Sequence, residues 1–216
     1  MTEVSGRDPL PRAAGLVLHR AASYDFFVWL MSGGREGAFR ERILRLARIE
    51  PGEAVLDVGC GTGTLAIAAK RRAGAAGKVH GIDASPEMLA RAVKKARRAD
   101  IDVTFTQAPA QALPFPDASF DLVLTTVMLH HLPRPGRAQC AREMRRVLKP
   151  GGRVLAVDFA ASQERGLVAR LHRRHGHVRP GELISLLATV GLDVKESGEV
   201  GYRSLQFALA IAPSAV

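Results

Sequence analysis

The chain has 216 residues, 47% of them hydrophobic, and a net charge of +10. That length suits one domain with a buried core, and no apolar run is long enough to span a bilayer. Residues 1–11 lack the apolar centre of a secretory signal and the two cysteines make no disulfide framework, so the expected compartment is the cytoplasm.

Residues 10–31 carry apolar side chains at mixed spacing, among them Leu16, Leu18, Phe26, Phe27, Trp29 and Leu30. They read as one or two helices, ended by Ser32-Gly33-Gly34. Residues 37–47 form a better helix, with Phe39, Ile43, Leu44 and Leu46 on one face and Arg40, Glu41, Arg42 and Arg45 opposite. A helical cap over 1–36 therefore precedes a main domain over 37–216. Pro51-Gly52 then turns the chain into the first strand.

The stretch from Val55 to Gly63 begins as an apolar strand and ends in a glycine loop, and an Ala-rich helical run follows over 65–73. This is the opening half of a nucleotide-binding βαβ unit. The glycines stand at 59, 61 and 63, so the pattern is G-x-G-x-G rather than G-x-G-x-x-G. Asp57 sits two residues before the first glycine. An acid there repels a pyrophosphate and attracts a cation. S-adenosyl-L-methionine carries an ammonium and a sulfonium and no phosphate.

The second strand, 78–83, ends in Asp83, 20 residues beyond Gly63. An acid at about that offset accepts hydrogen bonds from ribose hydroxyls in such units. Ser85-Pro86-Glu87 opens a helix, with Ser as N-cap and Pro at its first position. Arg91, Lys94, Lys95, Arg97 and Arg98 read as its solvated face.

A third strand is expected over 102–107 and a fourth over 120–126. Between them lies Ala108-Pro109-Ala110-Gln111-Ala112-Leu113-Pro114-Phe115. His130 and His131 fall just past the carboxyl end of the fourth strand, where open α/β sheets bind ligands. A helix over 135–148 and a turn, Lys149-Pro150-Gly151-Gly152, lead to a fifth strand over 153–159 with Asp158 at its end. Residues 163–179 hold five arginines with His172, His175 and His177 and read as a basic lid, not a metal site. A helix over 180–188 and strands over 192–199 and 202–211 close the chain.

Helices alternating with strands call for a parallel sheet covered on both faces, and the last two strands for an antiparallel edge pair. The D-x-G-x-G-x-G run, Asp83, the LPF segment and the LKPGG turn resemble the class I S-adenosylmethionine-dependent methyltransferases. The match covers about residues 37–211. Tyr24-Asp25 and His130-His131 resemble the small-molecule branch of ubiquinone and menaquinone C-methyltransferases. The resemblance implies an α/β, Rossmann-like doubly wound fold of seven strands. It implies S-adenosyl-L-methionine contacts at Asp57, Gly59, Cys60, Gly61, Gly63, Asp83, Ala84 and the Ala110 N–H. Pro109 stands where the family usually has an acid facing the adenine amino group, and proline offers neither carboxylate nor N–H.

Methyl transfer to a phenol or an aromatic carbon needs a base, and His130 or His131 suits that role. Tyr24 and His172 are the candidate acceptor contacts, from the cap and the lid. Aromatic walls and arginines suit an acceptor with an apolar body and an anionic end, including a membrane-associated one. Nucleic acid is not the expected partner, because the charge is spread along the chain. Two alternatives stand beside the small-molecule enzyme: an RNA or protein methyltransferase, and a cofactor-binding module without turnover.

Overall fold

The computed structural model describes residues 36–159, 181–201 and 205–214. Helix α1 (Glu36–Ala47) leads to β1 (Ala54–Val58), α2 (Thr64–Ala73), β2 (Lys78–Asp83), α3 (Pro86–Arg98) and β3 (Thr104–Gln107). Strand β4 (Phe120–Thr126), a 3-10 turn (Leu129–His131), α4 (Arg134–Val147) and β5 (Leu148–Phe159) come next. Helix α5 (Glu182–Thr189), β6 (Asp193–Glu199) and β7 (Leu205–Ile211) complete the order. Residues 1–35 of the expected cap over 1–36, with Tyr24, and the expected lid, with His172, lie outside the described residues.

The strands form one sheet in the order β3-β2-β1-β4-β5-β7-β6. β1 to β5 pair in parallel, and β7 runs antiparallel to both β5 and β6. This is the doubly wound sheet with an antiparallel edge that the alternation of elements predicts. β1 and β4 lie in its middle, and their near-continuous apolar runs are buried on both faces.

Strand alternation sorts the core into two layers. On one face Val55, Leu122, Leu124 and Leu155 pack with Ile43, Leu44 and Ala47 of α1 and Ala66, Ala69 and Ala73 of α2. On the other, Leu56, Val58, Val123 and Val154 pack with Cys140, Ala141 and Met144 of α4 and Leu183 and Leu187 of α5. α3 starts as its sequence predicts: Pro86 occupies the first turn and the buried Ser85 hydroxyl accepts from the Met88 N–H at 3.3 Å.

One boundary differs. The LKPGG turn was expected to separate α4 from the fifth strand, but β5 begins at Leu148, directly after the helix. Leu148 pairs with Phe120, and Gly151 and Gly152 exchange backbone hydrogen bonds with Ala212. Neighbouring chain on both sides draws the turn residues into the sheet.

The same strand is tied to the end of α1. The Arg153 guanidinium donates to both Glu53 carboxylate oxygens, at 2.7 and 2.8 Å, and to the Ala47 and Arg48 carbonyls. Both partners of the ion pair are largely buried. Arg153→Ala should therefore cost about 2 kcal/mol, since it strands a carboxylate and two carbonyls. Thermal unfolding measures this, and an unchanged midpoint would mean that the bridge adds nothing to the fold.

Candidate active site

Strand order reverses between β1 and β4, and the crevice of an open α/β sheet lies at the carboxyl ends of the strands at that point. The loop after β1 is the glycine loop. The segment after β4 holds the histidines. The two loops touch: a Cβ placed on Gly59 would lie 2.3 Å from Cγ of Met128. Gly59 is also in the left-handed region, at φ +75°. A side chain at 59 would push the loops apart.

β2 holds the glycine loop by main chain. Gly59 and Cys60 both donate to the Ile82 carbonyl, at 2.9 and 2.8 Å. Gly61 donates to Asp83 Oδ2 at 2.9 Å, and Ser85 donates to Asp83 Oδ1 at 2.9 Å. Asp83 thus shapes the loop as well as ending β2. A carboxylate has about four acceptor sites, so Asp83 keeps capacity for a further donor. Ala84 follows it, and its carbonyl accepts from the Gln107 amide.

Asp57 is 2% exposed, and its Oδ2 has no hydrogen-bond partner among the described residues. Burial, then repulsion from Asp83, pushes its carboxyl up to about 7, while the Ala66 N–H pulls the other way. Burial also raises the Asp83 carboxyl, against the N–H groups of Ser85, Gly61 and Ala84. Two desolvated acids side by side with an orphaned oxygen suit a cation and oppose a phosphate. The buried Cys60 thiol, held protonated by burial and then by both acids, is no nucleophile.

Past β4 the backbone is strained. Val127 has φ +54°, a conformation a β-branched residue rarely adopts, costing about 1–3 kcal/mol. Its N–H is fixed on the Val157 carbonyl at 2.8 Å. The kink leads into the 3-10 turn, where the His130 and His131 rings lie 3.9 Å apart between centroids. Arg137 of α4 donates to the Leu129 and Leu132 carbonyls and to Glu182, bracketing that turn.

Most expected site residues therefore come together. Asp57, Gly59, Cys60, Gly61, Gly63, Asp83 and Ala84 line the β1 and β2 ends, and His130 and His131 follow β4. The Ala110 N–H makes no hydrogen bond among the described residues, while the Pro109 carbonyl accepts from Ala112. Lys95 departs from expectation. It is not simply solvated, because its ammonium donates to Thr62 at 2.7 Å and Thr64 at 3.1 Å, at the tip of the glycine loop. The sequence marks Asp158 only as an acid at the end of its strand; in the fold it is fully buried and paired with His130.

Sheet order, glycine loop and buried acids together define a class I methyltransferase-like architecture. Comparison with known proteins agrees: residues 55–152 match the family model described as a methyltransferase domain. A demethylmenaquinone methyltransferase of Thermus thermophilus is 38% identical over 154 residues, 70% of this chain and 69% of its own. A ubiquinone/menaquinone biosynthesis C-methyltransferase of Teredinibacter turnerae is 36% identical over 166 residues. That match covers 74% of this chain, which spans 64% of the relative's length. A SAM-dependent methyltransferase of Aquifex aeolicus superposes with a TM-score of 0.69 at 25% identity, over 80% of this chain and 88% of that one. The chain belongs to the class I S-adenosylmethionine-dependent methyltransferase family, in the branch that resembles the quinone C-methyltransferases.

The fold alone does not fix the chemistry. The [4+2]-cyclase SpnF also superposes, with a TM-score of 0.74 at 20% identity, over 94% of this chain and all of that one.

Proposed function

We propose that this chain is an S-adenosyl-L-methionine-dependent methyltransferase acting on a small molecule, with a quinone-like or other hydroxylated aromatic ring as the acceptor. The observation that carries this reading is buried Asp57, with its orphaned oxygen, beside half-buried Asp83. The residues present fit the cofactor. Asp57 would meet its ammonium, Asp83 its ribose hydroxyls, the Ala110 N–H its adenine, and the main chain of Gly59, Cys60, Gly61 and Gly63 its body.

When bound, the cofactor supplies an electrophilic methyl group on sulfur with its own leaving group. The chain's part is then to hold and orient it, exclude water and manage the acceptor's proton. His130 and His131 follow β4 on the acceptor side, where a base is needed. The relatives named for quinone methylation support the acceptor class. The two free, buried thiols fit a cytoplasmic location.

Calorimetry with S-adenosyl-L-methionine tests the cofactor. Asp83→Ala should weaken binding by about 1–3 kcal/mol, the scale for losing a charged hydrogen-bonding partner. Unchanged affinity would remove Asp83 from the site. Tighter binding of a nicotinamide dinucleotide would reverse the reading altogether.

A further inference from the structure

The geometry points to Asp158 as a positioning residue that fixes His130 as the base for an acceptor with an acidic hydroxyl. This rests on the methyltransferase reading above and goes beyond it by assigning the proton. Asp158 stands at the end of β5 and is 0% exposed. Its Oδ2 accepts from the His130 backbone N–H at 3.0 Å, and its Oδ1 from the Phe159 N–H at 2.7 Å. The same Oδ1 lies 2.8 Å from His130 Nδ1.

That arrangement decides the tautomer. A carboxyl facing two backbone donors acts as an acceptor, so the proton between it and the ring belongs to Nδ1. A neutral imidazole with its proton on Nδ1 carries a lone pair on Nε2. Nε2 makes no hydrogen bond among the described residues, and the side chain is 12% exposed. The ring is further fixed edge-on to Phe159, at 5.3 Å between centroids, and against His131. A base held by a buried carboxylate is the arrangement used wherever an imidazole must take a proton from a reacting hydroxyl.

The step balances. The acceptor's O–H proton passes to Nε2, and the electron pair it leaves drives attack by ring carbon or oxygen on the methyl carbon. The carbon–sulfur bond breaks, its electrons stay on sulfur, and the cofactor leaves as a neutral thioether. His130 is then an imidazolium paired with Asp158, and returns its proton to water. For attack through ring carbon, the displaced ring proton passes to water, and the phenolate that this leaves takes one proton back from water, restoring the aromatic hydroxyl.

Nitrogen-15 NMR of the histidine rings, with His130→Ala to assign the signal, reads the tautomer in the intact chain. The expected result is Nδ1–H in the wild type and a switch to Nε2–H in Asp158→Asn, whose amide would donate to Nδ1. Nε2–H in the wild type overturns the proposal, even where the variant fails to fold. The second readout is transfer of a labelled methyl group to 1,4-naphthohydroquinone and to 4-nitrocatechol, whose hydroxyl ionises far more readily. Asp158→Asn should lower kcat on the hydroquinone by roughly 10²–10⁴-fold, the range for a lost general base. The loss should be much smaller on the nitrocatechol, with cofactor affinity held within threefold. An equal loss on both acceptors makes Asp158 merely structural and overturns the proposal. Cofactor binding without transfer to either ring also overturns it, and leaves the cofactor reading standing. Failure to bind S-adenosyl-L-methionine would instead sink the methyltransferase reading, whatever the tautomer.

Discussion

Affinity for S-adenosyl-L-methionine should fall about tenfold for each pH unit between pH 7 and pH 5. The cause is Asp57, whose carboxyl burial and Asp83 repulsion push up to about 7. Without ligand, the group holds a proton below that pH. An ammonium ligand needs the carboxylate, so binding in acid must expel the proton. The cofactor's own amino group keeps its charge throughout, because α-amino groups titrate at about 7.7–8.0. Asp83 is raised too, so the slope belongs to the pair. For the ligand-free protein the sign is opposite. Between the ordinary value of 3.8 and about 7 the folded state binds the extra proton, so Asp57's contribution to stability falls as pH rises. Calorimetry at pH 5, 6 and 7, in buffers of different ionisation enthalpy, should show both the slope and the released proton. Asp57→Asn should bind weakly and with a clearly shallower slope, since only Asp83 is left to titrate. A wild-type affinity independent of pH would place the ammonium away from Asp57.

The fold was legible because its signals are local. Short, mostly apolar runs bounded by turns marked β1, β2 and β4, and Ser85-Pro86 marked the start of α3 with its capping bond in place. The two glycine-loop acids were legible by position, since strand-end residues at neighbouring parallel strands share a rim. What sequence spacing could not show depends on partners distant in the chain. Lys95 looked like one more solvated cation, and only the packing of α3 beside α2 brings it to Thr62 and Thr64. Asp158 pairs with a residue 28 positions earlier because β4 and β5 are neighbours and Val127 kinks the chain between. Arg137 was equally invisible, one arginine among many until its three partners close around it. An acid at the end of the strand next to β4 was the one available hint. It needed the sheet order to become a contact.

Gly61→Val should abolish measurable cofactor binding while the protein stays folded. Gly61 has φ +52°, and its N–H is fixed on Asp83 Oδ2 at 2.9 Å. Valine resists that conformation by about 1–2 kcal/mol, so the loop relaxes and the hydrogen bond goes with it. The strain and the lost charged hydrogen bond together suggest a loss of about 100-fold or more in affinity. A control separates backbone strain from the site. Gly191, after α5, also has a positive φ, +78°, with nothing within 4 Å of a Cβ placed there. Gly191→Val meets a comparable conformational penalty in open space, more than 100 residues along the chain from both acids. The two variants should lose similar stability in thermal unfolding, and only Gly61→Val should lose the cofactor. Binding retained within threefold in Gly61→Val would mean that the loop is a turn and no more. Equal loss in both variants would assign the effect to general destabilisation rather than to the main chain that Gly61 presents beside Asp83.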